Sequence, residues 1–231
     1  MDIEEYSKYK QFYTEEIPEL LLRYLTKFSW KTYLDLGCGD GSLLYALNKK
    51  GYLNNKVVYA VDLSESRIGS VKKINRNFIC LVGDACNIKD IQDNSVDFLV
   101  SEMLVEHIGN DDDLIKEIGR VLKRDGIVYL STIFKKWYGW YFYRCNGRWT
   151  ADPTHLREYS KDSQLIDIFT KYGFEVVESK KTLAKRSLVD FVLKRTGCDR
   201  TIFISHPFLQ FIRNFSIPIF GYYNWEIICK K

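Results

Sequence analysis

An apolar run, Tyr33-Leu34-Asp35-Leu36, leads without interruption into Gly37-Cys38-Gly39-Asp40-Gly41-Ser42 and then into a helix-forming stretch, Leu43 to Lys49. Three glycines at G-x-G-x-G spacing between a strand and a helix leave few folds open. Glycine supplies the positive φ angles of a tight strand-to-helix turn and lets main chain approach a ligand that a side chain would hold off. An ordinary βα turn needs fewer of them. In a dinucleotide fingerprint the third glycine stands one position later. Here that position is Ser42 and the glycine comes early, at Gly41, which argues against a bound pyrophosphate and against an NAD-dependent oxidoreductase.

Three further segments follow in the order a parallel sheet requires. Residues 56–62, KVVYAVD, read as a buried strand ending in Asp62, at the sheet edge where open α/β folds meet ligands. A carboxylate there accepts both hydroxyls of a ribose; the alternative, an N-cap for the helix from Ser64 to Lys73, is better served by Ser64. A third strand, 78–82, runs into Gly83-Asp84-Ala85, where Asp84 is either a ligand contact or the start of an Asx-turn. A fourth, within Asn94 to Glu102, is followed by Leu104-Val105-Glu106-His107-Ile108.

Together the pattern L-D-L-G-C-G-D-G, the strand ending in Asp62, the G-D-A turn and the V-E-H-I segment resemble the successive motifs of the class I S-adenosylmethionine-dependent methyltransferases. The match is strongest over residues 30–133. Residues 155–178, with His155-Leu156-Arg157-Glu158-Tyr159-Ser160 and Tyr172-Gly173-Phe174, resemble the carboxyl half of the type-11 small-molecule members. The resemblance implies S-adenosyl-L-methionine as cofactor. The implied cofactor-binding set is Asp35, Gly37, Cys38, Gly39 and Gly41 around the first turn, Asp62 and Leu63 at the ribose, Gly83, Asp84 and Ala85 at the adenine, and Ser101 and Glu102 at the end of the fourth strand.

The rest of the chain fits one α/β domain spanning 1–231. A hydrophobic content of 46% over 231 residues fills a single sizeable core. An amphipathic region lies within residues 1–30, with Leu20, Leu21, Leu22 and Leu25 on one face. Helices at 111–123 and 161–172 and strands at 126–133, 174–178 and 222–229 complete a doubly wound, mostly parallel seven-stranded Rossmann-like sheet with helices on both faces. The family's strand order places the last strand antiparallel between its neighbours. A formal charge of +4 supplies no broad field for nucleic acid. The six cysteines show no C-x-x-C or Cys/His pairing, so no metal site is expected and the thiols read as reduced. With neither a signal peptide nor a run of about 18 uncharged apolar residues in the sequence, a cytoplasmic location is expected.

Two inserts, 134–156 and 183–221, are expected to cover the acceptor. The first carries Trp137, Tyr138, Trp140, Tyr141, Phe142 and Tyr143 between basic ends, which suits a glycan, a lipid-linked precursor or RNA, and equally suits a packed cap over the sheet. The second is aromatic and apolar around 201–213 and reads as a lid, an oligomer contact, a peripheral membrane contact or core completion. A sulfonium methyl is already electrophilic, so the protein chiefly aligns the nucleophile and, for a hydroxyl, takes a proton. His107 and His155 are the candidates for that proton; His107 has a structural reading as well. The segment Ser101-Glu102-Met103-Leu104 stands where enzymes that methylate planar base or glutamine nitrogens carry an Asn-Pro-Pro-Tyr clamp. The expected reaction is therefore O-methylation of a small molecule or a glycan or lipid-linked precursor, with an RNA methyltransferase or a non-catalytic partner subunit as alternatives.

Overall fold

The computed structural model describes residues 11–145, 147–193 and 198–231. Seven strands form one sheet in the order β3-β2-β1-β4-β5-β9-β8: β1 (Thr32–Leu36), β2 (Val57–Asp62), β3 (Ile79–Val82), β4 (Val96–Glu102), β5 (Leu122–Lys135), β8 (Glu175–Ser187) and β9 (Ser216–Lys230). Strands β1 to β5 pair in parallel, and β9 runs antiparallel to both β5 and β8. The order reverses between β1 and β4, and a crevice opens there at the carboxyl ends of the strands. Residues 1–10, part of the expected N-terminal helical region, and 194–197, part of the second insert, lie outside the described residues.

The strand sequences alternate apolar residues toward two cores, because successive side chains leave a strand on opposite faces. Leu34 and Leu36, Leu99, and Val128 and Leu130 join one core with α4 (Asp111–Val121) and α5 (Ser163–Lys171). Tyr33, Phe98 and Val100, and Ile127 and Tyr129 join the other with α1 (Glu19–Lys27), α2 (Ser42–Lys49) and α3 (Glu65–Ile74). Both faces are therefore covered, as a parallel sheet demands.

Three element boundaries differ from the sequence expectation. The helix expected to reach 123 ends at Val121, because Leu122 already pairs with Val96 and Asp125, in a left-handed conformation at φ 65°, turns the chain into the body of β5. Strand β8 continues nine residues past the expected end at Glu178. Lys- and Arg-rich residues 179–187 find backbone partners along β9, which itself starts at Ser216 rather than Tyr222. The two ends of the second insert thus form a two-stranded extension of the sheet, and the short helices α6 (Leu188–Leu193), α7 (Ile202–Ser205) and α8 (Pro207–Arg213) stand at its tip.

The first insert is seated on that extension by a glycine contact. It folds back as a hairpin, β6 (Tyr143–Cys145) with β7 (Arg148–Thr150). Gly221 sits at φ 74°, and a Cβ there would lie 2.4 Å from the Gly139 Cα. Lys136 and Trp140 donate backbone hydrogen bonds to Gly221 and Phe220. Replacing Gly221 by Ala therefore forces backbone apart and sets strain at a left-handed position, at a cost of about 1–3 kcal/mol. Urea unfolding is expected to show that loss, and limited proteolysis is expected to cut the 137–149 segment faster than in the parent protein.

Candidate functional site

The β1–α2 turn adopts the conformation its glycines permit, with φ of 75°, 55° and 82° at Gly37, Gly39 and Gly41. Its amides are stitched to the end of β2. Gly37 and Cys38 donate to the Val61 carbonyl at 2.8 and 3.0 Å, and Gly39 donates to Asp62 Oδ2 at 2.9 Å. The other Asp62 oxygen accepts from the Ser64 amide at 2.9 Å. Ser64 is the cap of α3, accepting from Arg67 N, so Asp62 is not needed for that role. Gly41 is the tightest of the three, since a Cβ there would meet Ile74 Cδ1 at 2.7 Å and Val71 Cγ2 at 2.9 Å. At Gly39 the neighbour is the flexible side chain of Gln11.

A cleft of about 280 Å³ opens over this turn. Of the residues expected from sequence, Asp35, Gly37, Cys38 and Glu102 line it; Gln11, Phe12, Ser42, Leu43, Met103, Asp190 and Arg213 line it without having been singled out. Asp62 and Gly83 lie beside the turn, joined by a hydrogen bond from Gly83 N to the Asp62 carbonyl. Asp84 forms the Asx-turn, accepting from Cys86 N at 2.9 Å; Ala85 is buried, Leu63 is exposed, and Ser101 is fully buried in β4 beneath the cleft. Gln11, Phe12, Asp190 and Arg213 come from elements far away in sequence. An N-terminal strap lays Gln11 and Phe12 on the turn: Gln11 N donates to Asp40 Oδ2, Tyr13 Oη donates to the Asp40 carbonyl, and Ser42 Oγ donates to the Phe12 carbonyl. Arg200 from the second insert approaches Asp40 Oδ1 at 3.1 Å, and Phe12 meets Phe203 edge to face. Arg213 pairs with Asp190 at 2.9 Å and with Glu16 of the strap at 3.2 Å.

The cleft floor is acidic. Burial, reinforced by the charges of Glu102 and Asp62, raises the Asp35 carboxyl well above its ordinary range. Burial, then the neighbouring Glu226 and Glu106, pushes Glu102 up to about 7. Carboxylates that resist ionisation because they face one another are relieved by a cationic ligand. The Cys38 thiol is raised by burial and has no thiolate character.

Beyond β4 the chain turns sharply. Met103 takes φ 52°, a left-handed conformation rare for a side-chain-bearing residue and found at functional turns. Leu104 packs on the face of Gly37, and a 3-10 turn follows over Val105–His107. That turn faces residues 154–158: the His107 and His155 rings meet edge to face with centroids 5.0 Å apart. His155 Nδ1 lies 3.2 Å from Glu158 Oε1, and His107 Nδ1 lies 3.1 Å from Thr154 Oγ1. Burial and then the adjacent His155 pull His107 down to about 4, leaving it neutral at physiological pH. The aromatic insert is neither a buried cap nor isolated rings. Trp140 packs on Phe142 and Trp149, yet Trp137 stays 93% exposed and Phe142 73%. A small core of Ile133, Ala151, Ala184, Ile219 and Tyr222 joins both inserts and touches Met103 at the cleft.

The comparisons agree with this geometry. The type-11 methyltransferase domain family matches residues 34–130. A ubiquinone biosynthesis O-methyltransferase of Pelagibacter ubique is 28% identical over 178 residues, 70% of this chain and 72% of the relative. A malonyl-[acyl-carrier protein] O-methyltransferase of Marinomonas is 29% identical over 177 residues, 70% of this chain and 59% of the relative, so the chain spans less than two thirds of that protein. Among solved structures, a S-adenosylmethionine-dependent methyltransferase of Methanosarcina mazei superposes with a TM-score of 0.64 at 18% identity, covering 94% of this chain and 98% of that one. The glycine turn and the strand order accord with the family match over residues 34–130, which supports an S-adenosylmethionine-dependent methyltransferase of the type-11 kind.

Proposed function

We propose that the chain transfers the methyl group of S-adenosylmethionine to an oxygen of a small-molecule, glycan or lipid-linked acceptor whose apolar part rests on the two inserts. The observation that carries this reading is the exposed aromatic rim reaching the cleft through Met103. Trp137, Phe142, Phe208, Phe211, Phe215 and Phe220 are all more than half exposed, and Tyr138 packs on Phe220 across the two inserts. Exposed aromatic surface of this kind serves recognition rather than folding. It is apolar far more than basic, which favours a lipid-like acceptor over RNA. Among the described residues no helix is long and apolar enough to cross a membrane. The two relatives described above are named as O-methyltransferases.

In this reading the cofactor lies along the glycine turn. The lone pairs that Asp62 keeps after its two amide contacts receive the ribose hydroxyls, Asp84 and the Ala85 amide meet the adenine, and Asp35 and Glu102 face the cationic end. A cofactor bound there would supply an electrophilic methyl beside Met103, and His107 and His155 would border an acceptor hydroxyl aligned for in-line attack. The oxygen bonds to the methyl carbon as the carbon–sulfur bond breaks, leaving S-adenosylhomocysteine, and the hydroxyl proton passes to an imidazole. His155, oriented by Glu158, is the better placed of the two, since His107 is weakly basic.

The acidic cleft has a pH consequence. Glu102 in the free protein holds its proton up to about pH 7, and a cation binds only the ionised form, so protonation competes with the cofactor. Calorimetry is expected to show affinity for S-adenosylmethionine rising between about pH 6 and pH 8. The rise is smaller for S-adenosylhomocysteine, which lacks the sulfonium charge. Equal slopes for the two ligands would remove Glu102 from the cationic end.

The acceptor assignment is tested by methyl transfer from labelled S-adenosylmethionine into a lipid extract and into an aqueous metabolite extract. Label is expected in an alkali-stable ether or an ester of an apolar product. Trp140→Ala is expected to raise the acceptor concentration needed, by about 10-fold for a stacking contact of roughly 1–3 kcal/mol, with cofactor affinity unchanged. His155→Ala is expected to lower turnover at saturating substrates by about 10²–10⁴-fold with the same cofactor affinity. A drop in thermal stability with no change in acceptor requirement would return Trp140 to a packing role.

A further inference from the structure

Glu106, His107 and His155 each present one ligand atom within a space where all three lie no more than 4.8 Å apart, and two of the three residues are buried. Points confined in this way lie at most about 2.8 Å from a common centre, against metal bonds of about 2.0–2.2 Å, so small side-chain adjustments close the set around one ion. Nothing in the cysteine pattern or the linear spacing marks this cluster, because His155 comes from the far side of the first insert.

The outer contacts fix each ligand in the form a metal uses. Thr154 Oγ1 donates to Asp152 Oδ1 at 2.7 Å, so toward His107 its oxygen accepts; the Thr154 carbonyl, 3.3 Å from the same Nδ1, also accepts. His107 therefore carries its proton on Nδ1 and its lone pair on Nε2. His155 Nδ1 faces the Glu158 carboxylate at 3.2 Å, which sets the same tautomer. Glu106 Oε2 accepts from Thr132 Oγ1 at 2.8 Å, and Glu106 is fully buried. Its Oε1 has no hydrogen-bond partner among the described residues. A buried carboxylate oxygen left without a donor costs free energy unless a ligand completes it. Two imidazoles held through Nδ1 by oxygen acceptors, with a carboxylate held by a hydroxyl, reproduce the outer shell that orients metal ligands.

We propose that Glu106, His107 and His155 bind one divalent first-row transition ion, of the zinc or cobalt type, with a coordination position left open toward the acceptor. Two histidines and one glutamate form a set that leaves such a position. Imidazole-rich sites select these ions over magnesium, which prefers oxygen ligands. The use of the open position rests on the acceptor reading above: an acceptor hydroxyl bound there is held beside the methyl and made more acidic. With the ion present its proton leaves to solvent, because the imidazole lone pairs are engaged by the metal. Ion binding itself needs neither cofactor nor acceptor.

The test is a titration of chelator-treated protein with Co²⁺ alone, followed by its visible d–d absorption. One equivalent is expected to bind, Zn²⁺ to displace it, and excess Mg²⁺ to leave it in place. Glu106→Gln and His155→Ala are each expected to abolish the band with circular dichroism unchanged. Glu158→Gln, which changes the group orienting His155 and leaves the three ligands in place, is expected to weaken Co²⁺ binding about 10–100-fold. Absence of the band, or a band that persists in both Glu106→Gln and His155→Asn, overturns the proposal and assigns any bound cobalt to cysteine thiols. Co²⁺ binding without methyl transfer would defeat only the acceptor reading, and methyl transfer without Co²⁺ binding only this one.

Discussion

The hydrogen bond from Gly39 N–H to Asp62 Oδ2 is the contact on which the site is built. Its partner interactions, from Gly37 and Cys38 to the Val61 carbonyl and from Ser64 to the second Asp62 oxygen, bind the β1–α2 turn to the end of β2. A turn of three left-handed glycines has high conformational freedom when unfolded and needs such anchors to hold one shape. Because Asp62 is charged, each of its bonds is stronger than a neutral one. The same carboxylate stands at the carboxyl end of β2, at the edge of the crevice. Ser64 caps the helix, and Asp62 braces the loop.

The covering of the cleft follows a different logic. The strap at 11–17 and the helices at the tip of the β8–β9 extension meet one another over the glycine turn, through Arg213 with Glu16 and Phe12 with Phe203. They also meet the turn itself, through Gln11, Tyr13 and Arg200 around Asp40. Apart from the Phe12–Phe203 pair these contacts are polar, while the apolar cores lie below the sheet ends. Segments held by polar contacts at an opening are the low-stability parts of a structure, able to part without unfolding the rest.

What the sequence revealed depends on how local the signal was. The glycine turn, the strand ending in Asp62 and the strand ending in Glu102 are contiguous patterns, and each stands where the order of motifs implied. Gln11 and Arg213 carry no pattern, since they reach the cleft only through tertiary docking. The extension of β8 past Glu178 has no apolar strand pattern in the sequence, because Lys180, Lys181, Lys185 and Arg186 interrupt it; in an edge strand that is the composition that discourages aggregation while the backbone pairs on its inner side. The helix expected through Lys123 was overridden by the pairing of Leu122 with Val96, a tertiary preference that local propensity does not register.

The division between cofactor half and acceptor half also explains the pattern of likeness. The family match stops at residue 130, inside β5, and both inserts lie beyond it. Residues before that point answer to a ligand common to many enzymes, so glycine geometry and strand-end carboxylates suffice to specify them. Residues after it carry the exposed aromatic rim and His155, which meets His107 from the matched part. The two regions meet at Met103, whose left-handed backbone turns the chain out of β4 and whose side chain touches the small core shared by both inserts. Strain at that single residue brings Glu106 and His107 within reach of residues 154–158. That approach is set by a backbone turn that a composition or charge argument does not see.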